Sequence, residues 1–317
     1  MKFLACACLF LAIGGALPQV LLNPPRQPDV ISVDVDLVNV LCSVRDRHGA
    51  YVKGLTQEDF ELRVDGRPRP ITHFSAEVSS PLTVALLLDV SGSVMRVIPD
   101  EKSAAGRFFS EVLRPGDQAL LAGFAERIAV WQNLTSSVAN VQQALDRAGP
   151  FEANADDRLG PAPRGGTLLY DAVVLVSTNK LKPLAGRKAI VLITDGNDEG
   201  SIASDRKAVQ AAQEADAVVY GIRYMDRSLG APGAMFAVDF GLSALTRLAN
   251  PTGGRVFDAM RDTSLEGAFR AIGEEMRNQY SLAFAPTEPK GAGDFHKLEL
   301  RLKRSGLRAQ ARAGYYR

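Results

Sequence analysis

The stretch "LLLDVSGSV", Leu86–Val94, runs three leucines straight into an acid and then spaces Asp89, Ser91 and Ser93 at every second position. It closes the longer run "LTVALLLDV", 82–90, and a nearly continuous apolar run of strand length is the pattern of a strand covered on both faces. "KAIVLITDG" (188–196) and "DAVVYGIRY" (216–224) repeat that pattern, and "QALLAGFA" (118–125) and "IAVWQNL" (128–134) add two more strand signals. Between them, apolar residues recur at intervals of three and four. One set is Ala104, Ala105, Phe108, Phe109 and Val112; a second is Val138, Val141, Ala144, Leu145 and Ala148. Leu168, Leu169, Ala172, Val173 and Val176 form a third, and Leu265, Ala268, Phe269, Ile272 and Met276 a fourth. Strands alternating with amphipathic helices predict an α/β fold over residues 81–276, a doubly wound and mainly parallel sheet with helices on both faces.

Outside that region the pattern is β. From Ile31 the residues alternate, Val33, Val35 and Leu37 on one face, then Val38, Val40, Cys42 and Val44 after a slip of one, which predicts a bulge at Leu37–Val38. "FELRVDGRPRPITHF" (60–74) reads as two short strands about the Asp65-Gly66 turn. After Met276, "YSLAFAP", "HKLELRLKR" and a closing "AQARAGYYR" read as three further strands. The expectation is a smaller β-sandwich-like domain in which residues 30–80 pair with residues 277–317, the α/β domain being inserted between them.

The chain opens with Lys2, an apolar run to about Ile13, and the small residues Gly14, Gly15 and Ala16. That order is a secretory signal peptide over residues 1–16, too short in its apolar part for a spanning helix, and residues 17–29 follow as a proline-rich linker. The implied location is outside the cytoplasm, secreted or in the cell envelope, with no membrane span after cleavage. Lys and Arg number 37 and Asp and Glu 36 in 317 residues. The leader carries one basic residue, Lys2, and no acid, so the remaining chain is balanced at a net charge of zero. Nucleic acid and anionic membranes are therefore poor partners, because both reward a basic excess. Only Cys42 remains beyond the leader, which excludes an intrachain disulfide and a cysteine zinc cluster.

In an open parallel sheet, ligands bind beyond the carboxyl ends of the strands. Asp89 stands at such an end, with Ser91 and Ser93 in the loop that follows. "VLITDGND" ends its strand in Asp195, and "RGGTLLYD" places Thr167 after two glycines at a helix start. Two carboxylates and three hydroxyls make a hard-oxygen set suited to Mg2+, Mn2+ or Ca2+ rather than to zinc. "DVSGS" followed by "GGT" and "TDG", in this order and on these elements, resembles the metal-ion-dependent adhesion site of von Willebrand factor type A domains. The resemblance implies that Asp89, Ser91, Ser93, Thr167 and Asp195 are the metal ligands, some through water, and that an open coordination position takes a carboxylate from a protein partner. The flanking segments "VNVLCSVRDRHGAYVKGLTQEDFELRVDG" and "MRNQYSLAFAPTEPKGAGDFHKLELRLKR" are similar to a bacterial subgroup labelled VWFA-related Acidobacteria domain.

The expected function is metal-dependent protein binding of the adhesion type, without catalysis. A non-catalytic role in envelope assembly is the alternative that the sequence separates least well. A phosphoaspartyl hydrolase would need a second Asp two positions after Asp89, where Ser91 stands, and a serine hydrolase would need a Gly-x-Ser-x-Gly turn with a histidine. His48 and His73 fall in the first β segment and His296 in a late strand, and there is no Walker-type phosphate loop. Residues 149–166 and 225–240 read as long loops at the metal edge that set specificity. The sequence leaves the partner, the choice among the three cations and the oligomeric state open.

Overall fold

The computed structural model describes residues 37–76, 80–151, 166–226, 234–287 and 293–317. The leader over 1–16, the linker over 17–29 and the strand signal over 31–36 lie outside the described residues. In chain order the strands and helices are β1 (Val38–Arg45), β2 (Phe60–Val64), β3 (Arg67–Arg69), β4 (His73–Ser75), β5 (Leu82–Asp89), α1 (Ile98–Val112), β6 (Gln118–Phe124) and β7 (Ile128–Thr135). They continue with α2 (Val138–Arg147), α3 (Leu169–Val176), β8 (Arg187–Thr194), α4 (Asp205–Glu214), β9 (Ala217–Arg223), α5 (Ala234–Thr252) and β10 (Val256–Asp258). α6 (Leu265–Arg277), β11 (Gln279–Phe284), β12 (Phe295–Leu302), β13 (Arg308–Ala311) and β14 (Gly314–Tyr316) complete the chain.

Six strands form the central sheet in the order β10-β9-β8-β5-β6-β7. β5 pairs in parallel with both β6 and β8, β9 pairs in parallel with β8 and β10, and β7 closes the edge antiparallel to β6. All eight residues of β5 are buried, which is what its unbroken apolar run requires. Its alternate residues serve two cores. Val84, Leu86 and Leu88 pack with Phe109, Phe269 and Ile272 on the layer of α1, α2 and α6. Ala85 and Leu87 pack with Val173, Ala212 and Leu245 on the layer of α3, α4 and α5. The strand order reverses at β5, so the crevice for a ligand lies beyond the carboxyl ends of β5 and β8.

The two ends of the chain build a pair of four-stranded sheets, β13-β1-β11-β4 and β14-β12-β2-β3. β1 runs antiparallel to β11, in unbroken register from Val38↔Phe284 to Ser43↔Gln279, and β2 runs antiparallel to β12. Val40, Cys42, Phe60, Leu62, Tyr280, Leu282 and Leu298 fill the core between the sheets. Burial pushes the Cys42 thiol far up, so it packs as a small apolar group. The β2–β3 turn holds Asp65 and Gly66 at positive φ, 49° and 78°, the backbone of a tight hairpin.

Two expectations need correction, and a third lies outside the described residues. The stretch 225–240, read as one long loop, becomes helical at Ala234, because apolar residues resume behind the "GAPG" that made it look irregular. The loop over 149–166 falls largely on 152–165, outside the described residues. "AQARAGYYR" is two strands in two different sheets, β13 and β14, with the break at Arg312 and Ala313. There the buried Arg312 pairs with Asp216 at 2.5 Å and donates to the Gln213 carbonyl at 2.8 Å, which turns the chain out of β13.

Glu275, 1% exposed near the end of α6, ties the parallel sheet to the β-sandwich. It pairs with Arg45 of β1 and with Arg255 at 2.9 Å, and accepts from Tyr51 at 3.3 Å and from Tyr220 of β9 and Ser43 of β1 at 3.4 Å. Removing one partner of a buried ion pair leaves the other charge uncompensated. Glu275→Ala is expected to lower stability by about 3 kcal/mol in urea titrations, and an unchanged midpoint would contradict this coupling. A chain ending at Arg277 lacks β11 and β13, which flank β1, and β12, which leaves β2 only the short β3 beside it, so hydrogen exchange at residues 38–64 is expected to lose its protection; protected amides there would show those strands to be self-sufficient.

Candidate metal centre

Asp89 ends β5 with 0% exposure, wedged by register between Phe124 of β6 and the end of β8, where Leu88 opposes Ile193. One step further along that ladder stands Thr194, and its hydroxyl donates to Asp89 Oδ2 at 2.5 Å while accepting from the Gly196 amide at 3.0 Å. Asp89 Oδ1 accepts from the Ser91 amide at 2.8 Å, the short-range bond that folds the loop back over the strand end. Ser91 and Ser93 are thereby brought together, their Oγ atoms 3.1 Å apart.

Asp195 follows Thr194 at the same edge, 5% exposed, its Oδ1 accepting from the Asn197 amide at 2.9 Å. Thr167 reaches the edge on the segment that enters α3. The Leu168 amide donates to the Ala125 carbonyl beyond β6 at 2.9 Å, and the Glu199 amide donates to the Thr167 carbonyl at 3.1 Å. Gly166, at φ +76°, lies so close to Glu199 that an added Cβ would sit 2.9 Å from its carbonyl carbon and oxygen. A side chain does not fit there, which is the reason for glycine before Thr167. Ser91, Ser93, Thr167 and Asp195 line one cleft of about 340 Å³, together with Gly92, Ala125, Glu126, Gly166, Asn197 and Glu199.

The donor set fits a hard divalent cation. Neither Asp89 nor Asp195 is paired with a basic side chain among the described residues, and the charge of Asp195 raises the cost of ionising the buried Asp89. Burial pushes the Asp89 carboxyl up to about 6, with the charge of Asp195 adding to it and the Ser91 and Thr194 hydrogen bonds opposing. No cluster of three or more His, Cys, Asp or Glu side chains able to hold a metal occurs among the described residues. Of the five expected donors the cleft is lined by the Asp195 carboxylate and the three hydroxyls, while Asp89 is fully buried and outside that lining; as hard oxygens they suit Mg2+, Mn2+ or Ca2+ over a metal that selects nitrogen and sulfur.

Several residues of this region escaped the reading of the sequence. Thr194 is one, and its only signal is its place beside Asp195 on a strand adjacent to β5. Glu101 in α1 is fully buried, and neither carboxyl oxygen finds a partner; burial, then the charges of Asp89 and Asp100, hold its carboxyl well above the usual range. Asp198 accepts from the Tyr170 amide at 3.2 Å and from the Ser201 hydroxyl at 2.6 Å. Asp171 accepts in return from the amides of Ile202 and Ala203 at 3.0 and 2.9 Å. These reciprocal bonds pin the loop after β8 to the start of α3. No histidine lines the cleft; His296 lies on the sandwich, 2.9 Å from Asp65.

The raised carboxyl of Asp89 has a pH signature. A proton held more tightly in the folded than the unfolded state favours folding at low pH, and that advantage is lost as pH climbs from the ordinary value, 3.8, through about 6. In EDTA, wild type is expected to lose about 2 kcal/mol relative to Asp89→Asn between pH 4 and 7. Urea unfolding at each pH measures this, and parallel profiles would contradict it.

Residues 84–197, which include all five oxygen donors, match the von Willebrand factor type A domain family. No curated protein matches the chain. Among solved structures, BatB from Bacteroides thetaiotaomicron, a conserved hypothetical protein, shares 20% identity at a TM-score of 0.43, covering 62% of this chain and 97% of that one. Proximal thread matrix protein 1 from the mussel byssus, solved with a zinc-occupied MIDAS motif, shares 16% identity at a TM-score of 0.46 over 68% of this chain; the match spans half of the mussel protein. The domain of the type V pili tip protein Mfa5 from Porphyromonas gingivalis shares 13% identity at a TM-score of 0.45, covering 63% and 96% of the two chains. With its parallel sheet, its helical layers and the family match over residues 84–197, the chain carries a von Willebrand factor type A domain.

Proposed function

We propose that the chain is a metal-dependent protein-binding module of the adhesion type, in which Asp89, Ser91, Ser93, Thr167 and Asp195 hold one divalent cation. Mg2+ is the first assignment, with Mn2+ and Ca2+ as alternatives. The observation that carries the reading is Asp89 itself, a fully buried carboxylate at the ligand edge of the sheet with a second acid beside it and no basic partner. Buried charge is tolerated when it is paired or coordinates a metal. Bound there, the cation supplies an open position for an anionic oxygen, and a partner's Asp or Glu has the right charge and hardness for it.

The protein's own groups do the positioning. Thr194 and the Ser91 amide fix the two oxygens of Asp89, the Asn197 amide fixes Asp195, and the pinned loop presents Thr167. The same arrangement speaks against catalysis. Asp89 is too enclosed to serve as a phosphoryl acceptor, and no histidine stands near Ser91 or Ser93 to act as a base. The leader expected over residues 1–16 supports binding outside the cytoplasm, at the envelope or beyond. No helix among the described residues is long and apolar enough to cross a membrane.

At Mg2+ of about 100 Kd, wild type is expected to gain about 2.7 kcal/mol over EDTA, several degrees in Tm. Asp89→Ala abolishes that gain and Ser93→Ala reduces it. A Mg2+ shift of wild-type size in Asp89→Ala, read by differential scanning calorimetry, would overturn the assignment.

A further inference from the structure

Four large apolar side chains are exposed among the described residues: Met95 at 46%, Ile202 at 62%, Phe240 at 74% and Phe295 at 47%. Phe295 belongs to the sandwich, where its ring packs against Tyr316 at 5.2 Å. The other three stand on three separate segments, two of them continuing from cleft residues in sequence and the third touching the backbone of Asp195. Met95 follows Ser93 by two residues on the loop out of β5. Ile202 follows Glu199 by three on the loop out of β8, and its amide is bound to Asp171 Oδ2 at 3.0 Å, which holds it beside the start of α3. Phe240 precedes Gly241, whose added Cβ would stand 2.1 Å from the Asp195 carbonyl oxygen. Only a glycine lets α5 press its backbone onto the strand end, and that contact delivers Phe240 to the same edge. A single exposed apolar residue is ordinary, but three on segments that adjoin Ser93, Glu199 and Asp195 point to a surface that is covered in use.

Glu126 and Glu199 line the cleft and have no ion pair or side-chain hydrogen bond. With Asp89 and Asp195 they put four acids at a site whose cation carries two charges. One incoming carboxylate can bind the cation, while a second acid beside it would face Glu126 and Glu199 across a short distance. Acidic tracts, sulfated glycans and nucleic acids are therefore disfavoured by like charge, and apolar neighbours are favoured by the rim.

Building on the metal-dependent reading above, we propose that the partner is a protein segment presenting one isolated carboxylate flanked by large apolar side chains, which dock on Met95, Ile202 and Phe240. The test uses the full chain and a displayed library of random linear peptides, selected in Mg2+ and eluted with EDTA. The eluted peptides are expected to carry a single Asp or Glu beside Leu, Ile, Met, Phe or Trp. Their affinity should fall about tenfold or more on Phe240→Ser and on Met95→Ser, while both variants keep the wild-type Mg2+ shift in Tm. Acid-rich peptides without apolar flanks, peptides that bind both variants as tightly as wild type, or no EDTA-eluted peptides at all would overturn the apolar rim. Where the wild-type Mg2+ shift is itself missing, the metal-dependent reading fails and takes this proposal with it.

Discussion

A carboxylate buried at the end of a strand, with no positive charge to meet it, is the constraint around which the ligand edge is built. β5 is covered on both faces, so whatever side chain ends it is taken out of water with the rest of the strand. An aliphatic residue would cost nothing there, whereas Asp89 loses solvation that two hydrogen bonds restore only in part. Its surroundings are arranged accordingly: β8 is in the register that sets Thr194 beside it, the Ser91 and Ser93 hydroxyls lie next to each other above it, and Asp195 adds a second charge of the same sign. Each feature is unfavourable or neutral for a metal-free protein and favourable around a divalent cation.

The β-sandwich acts at the other edge. Arg187 begins β8, and Asp216 directly precedes β9; both line a polar cavity of about 200 Å³ shared with Asn39 of β1, Ser281 of β11 and Arg312. These are the amino ends of the parallel strands, so the sandwich is seated away from the carboxyl ends that carry Asp89 and Asp195. Glu275 fixes that seating by joining α6 and β9 to Arg45 and Ser43 of β1. The ligand edge is thus left to the loops of the α/β domain, and the long separation of β1 from β11 in sequence leaves their pairing undisturbed.

Much of this is legible in the amino-acid order because burial on two faces writes continuous apolar runs. β5, β8 and β9 are read directly from such runs, and α1, α2, α3 and α6 from spacings of three and four. The helix α5 is hidden at its start, where Gly230, Pro232 and Gly233 dominate the local signal, although its later turns carry Leu245 and Leu248 into the core. α4 is concealed differently, since its buried face is made of Ala208, Ala211 and Ala212 and gives little apolar contrast. At the site, motif spacing points to Asp89, Ser91, Ser93, Thr167 and Asp195 because the three motifs stand at two strand ends and a helix start, with Ser91 and Ser93 in the loop after β5. Thr194, Asp171, Asp198 and Glu101 carry no such mark. Their roles depend on which strands are neighbours and on how two loops meet, and those relations exist only in three dimensions.

The central claim is that these five oxygen donors hold a single divalent cation. Diffraction from crystals grown in Mn2+, with data collected on both sides of the manganese absorption edge, addresses it most directly. One strong anomalous peak is expected in the cleft, within bonding distance of the Ser91 and Ser93 hydroxyls, and is missing from crystals of Asp89→Ala. An empty cleft at saturating Mn2+, or a peak unaffected by that substitution, would contradict it.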